Sequence, residues 1–152
     1  MKKTLHSLRF PAAVILMPFI LLYCSETVTR QNLLSPFAWI VSHFGAAAFT
    51  WLLVTMAAMV FLALFRRLFA AYLVPALITL LLTLVSYYKN MINGFPLQLS
   101  DFSLAGEFTD IAGYALPQIR ISPATAAAVL IVIAALALLF IAERRGRPDG
   151  RL

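Results

Sequence analysis

The stretch from Gly45 to Tyr88 reads GAAAFTWLLVTMAAMVFLALF, then RR, then LFAAYLVPALITLLLTLVSYY. Two apolar runs are separated by nothing but Arg66 and Arg67, and no other charge falls in the segment. A helix that crosses the hydrocarbon core of a bilayer needs about 20 mainly apolar residues. Each run meets that length, and the paired arginines force a tight reversal at a membrane surface. The segment therefore predicts a transmembrane hairpin with spans at about 45–65 and 68–87. Pro75 is a kink that neighbouring helices tolerate.

Two further blocks extend the pattern. One runs from Phe10 to Cys24, interrupted by Pro18, and reaches spanning length with the residues from Leu5. The other, about 124–142, is opened by Ser122 as N-cap and Pro123 at the first helical position. Leu33 to Phe65 is too long for one crossing, at about 50 Å of helix against a core of about 30 Å. Leu33 to Phe44, with Ser35, Pro36, Trp39, Ser42 and His43, is accordingly an interfacial lead-in. The whole chain, 1–152, reads as one all-α membrane domain with spans at about 5–24, 45–65, 68–87 and 124–142.

Composition agrees. Of 152 residues, 62% are hydrophobic and 12% charged, where soluble domains hold about 45–50% and about 25%. The mean hydropathy is +0.92. The net charge of +6 would suit a nucleic-acid binder, but its placement does not. Lys2, Lys3, Arg9, Arg66, Arg67, Arg144, Arg145, Arg147 and Arg151 cluster at block ends; only Arg30, Lys89 and Arg120 lie in the alternate connections. Positive charge collects on the cytoplasmic side, so both termini are expected in the cytoplasm. The N-terminus also looks like a secretory signal. Leu22 and Tyr23 are wrong for cleavage, and Tyr23 before Cys24 is wrong for a lipoprotein, so an uncleaved anchor is expected.

The extracytoplasmic loop, 88–122, holds Asp101, Glu107 and Asp110. Asn93–Gly94 marks a turn, Pro96 keeps the chain extended, and Ser100 or Asp101 can cap a helix. Over about 102–116, a rotation of about 100° per residue puts Phe102, Leu104, Phe108 and Ile111 on one arc and Ser103, Glu107 and Asp110 on the other. This predicts an amphipathic helix lying at the interface or across the bundle's mouth.

Three strings in this region, Tyr87-Tyr88-Lys89-Asn90, Gly94-Phe95-Pro96-Leu97 and Asp101-Phe102-Ser103-Leu104 with Glu107 beyond, carry a family resemblance. The region resembles the membrane portion of lipoteichoic-acid-synthase-like phosphoglycerol transferases of the alkaline phosphatase and sulfatase superfamily. The likeness covers about 87–120 by motif and the rest by span layout. It implies a bacterial cell membrane and anionic lipid, phosphatidylglycerol above all, as partner. Lys89, Asn90, Asp101 and Glu107 become the candidates for holding a lipid head group or structuring the loop, with Gly94, Pro96 and Pro123 as turn and helix-start residues.

Such relatives carry a further span and then an extracytoplasmic domain, in which a Thr nucleophile and a divalent metal such as Mn or Mg transfer phosphoglycerol. No such constellation occurs in this sequence, so no catalytic residue, metal ligand or cofactor is expected in it. The chain is expected to anchor a fused or partner catalytic domain, or to be a stand-alone remnant.

Other readings carry weight. Asp101, Glu107 and Asp110, without a histidine, fit a cap and a solvated helix face better than a metal site. Lys89 fits a lipid phosphate or a snorkelling cation equally well. His43 reads as a structural residue, and Glu26 as the i,i+4 partner of Arg30. A small transporter or channel is one alternative, although no Asp, Glu, Lys or Arg falls inside the span cores, where transport paths usually place one. A non-catalytic assembly subunit is the other. Nucleic acid is not an expected partner.

Overall fold

The computed structural model describes residues 2–98, 101 and 121–146, and every regular element among them is an α-helix. Five helices follow in order: α1 (Lys2–Arg30), α2 (Ser35–Ser42), α3 (Phe44–Phe65), α4 (Leu68–Asn93) and α5 (Pro123–Gly146). Four are long and apolar enough to cross a membrane: Ala12–Arg30 within α1, Phe44–Phe65, Leu68–Ile92 within α4 and Pro123–Arg144 within α5. This is a multi-pass membrane architecture. The expected amphipathic helix at 102–116 lies outside the described residues.

Three helices outrun their expected spans, α5 by continuing past Ala142 to Gly146. α1 continues past Cys24 to Arg30 because its polar residues bond back into the helix. Ser25 Oγ donates to the Leu22 carbonyl at 2.8 Å, Thr27 Oγ1 to Tyr23 at 2.9 Å and Thr29 Oγ1 to Ser25 at 2.9 Å. α4 continues past Tyr87 to Asn93, where Gly94 (φ +75°) stops it in the left-handed region, its N–H donating to the Asn90 carbonyl at 2.9 Å. α1 and α3 also end on left-handed residues, Gln31 (φ +53°) and Arg66 (φ +54°). Glycine is the residue that adopts this region without penalty, and only one of these three stops has one.

The bundle is sewn by stripes at helical spacing. Met17, Leu21, Cys24 and Val28 of α1 are buried, and so are Ala128, Val132, Leu136 and Leu139 of α5. Steps of three and four residues keep each set on one face. Ala58 of α3 and Tyr72 and Ala76 of α4 complete this core. Small residues matter here because lipid tails are as apolar as leucine, so close approach and dispersion replace the hydrophobic effect between helices. α3 is the peripheral member: only Ala47 and Ala58 are buried, while Leu53, Met56, Val60 and Leu64 are at least half exposed.

Prolines are accommodated locally. Pro18 and Pro75 both lie inside continuous helices and are buried. Each removes a backbone donor. Near Pro18 the Trp51 indole of α3 donates to the Ile15 carbonyl at 3.1 Å, tying the weakened turn to its neighbour. The interfacial lead-in becomes α2, an eight-residue helix in which Phe37 and Val41 are exposed, as is Leu34 just before it. Tyr23 reaches it from α1, donating its hydroxyl to the Leu33 carbonyl and placing its ring 4.8 Å from Phe37.

Candidate functional site

The C-terminal end of α4 and the segment after it fold into one hydrogen-bonded unit. Gly94 turns the chain, Pro96 keeps it extended, and the Leu97 N–H donates back to Ser86 Oγ at 3.2 Å, about two turns inside the helix. Lys89 is thereby brought against Asp101 in a direct ion pair, both side chains half-buried. Lys89 Nζ also donates to the Pro96 carbonyl at 3.4 Å, and the Gln98 N–H donates to Asp101 Oδ2 at 2.6 Å. Lys89, Phe95, Gln98 and Asp101 line a shallow open cleft.

This geometry settles what Asp101 does locally. Its carboxylate turns back onto Lys89 and the Gln98 amide. The Lys89 hydrogen bond first, and then the Gln98 N–H, hold the Asp101 carboxyl below its usual range; desolvation opposes them, and the Lys89 charge adds a smaller lowering effect. The arrangement offers a cation already neutralised by a carboxylate, beside an exposed phenyl ring and an open cleft. An anion entering there would compete with Asp101 for Lys89.

The expected site residues divide in three. Lys89, Asp101, Gly94 and Pro96 come together. Asn90 contributes its backbone carbonyl to the Gly94 turn, its side chain being exposed. Glu107 and Asp110 lie outside the described residues. Pro123 sits at the start of α5 as expected, with Ser122 Oγ accepting the Thr125 N–H at 3.1 Å as an N-cap. Ser86, Phe95 and Gln98 were not among the candidates. Ser86 reads in sequence as a hydroxyl that bonds within or between helices, and its service to the loop depends on the Gly94 reversal.

A second polar cluster had no sequence signal. Gln31 Nε2 donates to Thr125 Oγ1 at 3.0 Å, and Ser122 Oγ donates to Gln31 Oε1. The buried Thr125 and the cap residue Ser122 thus clasp the end of α1 to the start of α5. Next to it, Glu26 accepts from Arg30 at 2.9 Å, the Arg30 guanidinium lies 5.3 Å from the Trp39 ring, and His43 stacks on Trp39 at 5.5 Å. His43 is exposed and hydrogen-bonded to Ser42, a surface residue of α2's end.

Among the described residues, no group of three or more His, Cys, Asp and Glu is arranged to hold a metal ion. No family model, curated protein or solved structure matches this chain.

Proposed function

We propose that the chain is the membrane anchor and lipid-binding platform of a phosphoglycerol transferase resembling the lipoteichoic acid synthases. In this reading both termini are cytoplasmic, the α4 end lies at the outer face of a bacterial cell membrane, and the partner lipid is anionic, with phosphatidylglycerol the first candidate. Nucleophile and divalent metal belong to a catalytic domain, fused or associated, outside these 152 residues. The chain positions lipid and performs no transfer itself, since phosphoryl transfer needs a positioned nucleophile and electrostatic stabilisation of the moving phosphoryl group.

The observation that supports this most is the convergence of Ser86, Lys89, Gly94, Pro96 and Asp101 on one hydrogen-bonded unit. Four of these residues, Lys89, Gly94, Pro96 and Asp101, are among those that carry the family resemblance. Such a unit at a membrane surface suits a phosphate-bearing head group. Lys89 supplies the point charge and Phe95 the apolar flank.

The purified chain in vesicles containing a head-group-photoactivatable phosphatidylglycerol should cross-link within 86–101. Lys89→Ala should cut labelling several-fold, and a phosphatidylcholine analogue should label weakly. Equal labelling by the two lipids would overturn the reading. So would release of phosphoglycerol by the chain alone.

A further inference from the structure

At the opposite end of the bundle, the start of α4 meets the end of α5 around a cleft lined by Arg67, Phe69, Phe140, Glu143 and Arg144. We propose that this cleft binds the phosphate-bearing head group of an anionic phospholipid in the leaflet opposite the Lys89–Asp101 unit. The proposal is independent of the transferase reading.

The cleft is built by contacts between two helices. Arg67, the residue preceding α4, provides no side-chain cap to that helix. Glu143 does so from α5, Oε2 accepting the Phe69 N–H at 3.0 Å. Its charge is thereby committed to the positive end of a helix dipole. Beneath it Phe69 and Phe140 meet edge to face at 5.1 Å. Arg144 lies over Phe140, with Cζ 4.4 Å from the ring centroid, which restrains a long side chain that would otherwise roam in solvent. Arg67, just before α4, lines the cleft as well and is exposed.

Two arginines, Arg144 of α5 and Arg67 just before α4, therefore line a cleft with an aromatic wall, against one carboxylate already engaged. Arginine's planar fork matches phosphate oxygens bidentately. The wall favours a lipid over free phosphate: α4 and α5 are both of spanning length, so the cleft sits where a head group joins its apolar chains, and the two rings offer those chains a contact surface.

Native mass spectrometry of the detergent-purified chain, titrated with dioleoyl phosphatidylglycerol and with dioleoyl phosphatidylcholine, tests this. Tighter binding of the anionic lipid is expected. Removing both cations, Arg67→Gln with Arg144→Gln, should weaken it by about tenfold or more, the weight of one or two charge-assisted contacts, and leave phosphatidylcholine unchanged. Both arginines are exposed, so the fold should survive, as helical circular dichroism would show. Arg30→Gln, at the other end, controls for loss of a positive charge. An equal effect of Arg30→Gln, or no preference for the anionic lipid, would overturn the proposal. Inorganic phosphate competing as well as the lipid, with the same arginine dependence, would also overturn it, because the site would then take the free anion. Loss of binding in Lys89→Ala alone would place the lipid at the α4 end and defeat this site without touching the other.

Discussion

Asp101 accepts from Lys89 and from the Gln98 amide, so its ionisation can be followed through a neighbour's N–H. Its carboxyl is held below the ordinary aspartate range by those two contacts. A carboxylate with a depressed folded pKa contributes stability above its unfolded pKa and loses it as pH falls through the folded one. The Gln98 amide shift in a nuclear magnetic resonance titration should therefore show a step whose midpoint lies below the ordinary aspartate value of about 3.9. Asp101→Asn should abolish that step, and a midpoint above 4 would contradict the pairing. Backbone conformation gives a second prediction at this scale. A Cβ at Gly94 would meet nothing within 4 Å, so Gly94→Ala suffers only the left-handed penalty and should cost about 1 kcal/mol. Arg66→Gly relieves the same penalty and should raise stability by up to about 1 kcal/mol. Equilibrium unfolding in mixed micelles reads both, and opposite signs are the point of the comparison.

Individual elements show what a single sequence conveys and what it conceals. The apolar runs of α3 and α4 stand out because Arg66 and Arg67 interrupt them, and the α5 start is marked by Ser122 and Pro123. The Glu26–Arg30 pair follows from a spacing of four. The true ends of α1 and α4 do not show in the same way, because hydrophobicity falls before helicity does: back-bonded hydroxyls carry α1 to Arg30, and a glycine stop carries α4 to Asn93. Least visible is the clasp of Gln31 with Ser122 and Thr125, whose partners are 91 and 94 residues away. Because these side chains share partners, their energies should not add. Ser122→Ala and Gln31→Ala should each cost about 1 kcal/mol, and the double variant clearly less than the sum. Additive losses in a mixed-micelle unfolding cycle would mean that the clasp contributes nothing as a unit. On the stripes, Ala128 is fully buried and Ala134 exposed. Ala128→Leu should destabilise by about 1–3 kcal/mol through overpacking, whereas Ala134→Leu should be nearly neutral.

At the scale of the molecule, helix order and end contacts fix which residues share an end. The clasp joins the end of α1 to the start of α5, and Glu143 joins the end of α5 to the start of α4. Leu34, the Lys89–Asp101 unit and Ser122 therefore lie at one end, and Arg66, Arg67 and Arg144 at the other. In the proposed orientation, which rests on the charge imbalance alone, the arginine end is cytoplasmic, and labelling tests it. Cys24 is the chain's single cysteine and is buried, so Cys24→Ala gives a clean background. Leu34 is 78% exposed and Arg66 sits in the exposed α3–α4 turn. In intact cells a membrane-impermeant maleimide should modify Leu34→Cys and spare Arg66→Cys until the membrane is opened. The reverse pattern would put Lys89 and Asp101 in the cytoplasm. An outer-face role for that unit would then fall, while the arginine cleft, whose chemistry depends on the lipid phosphate and not on the leaflet, would stand.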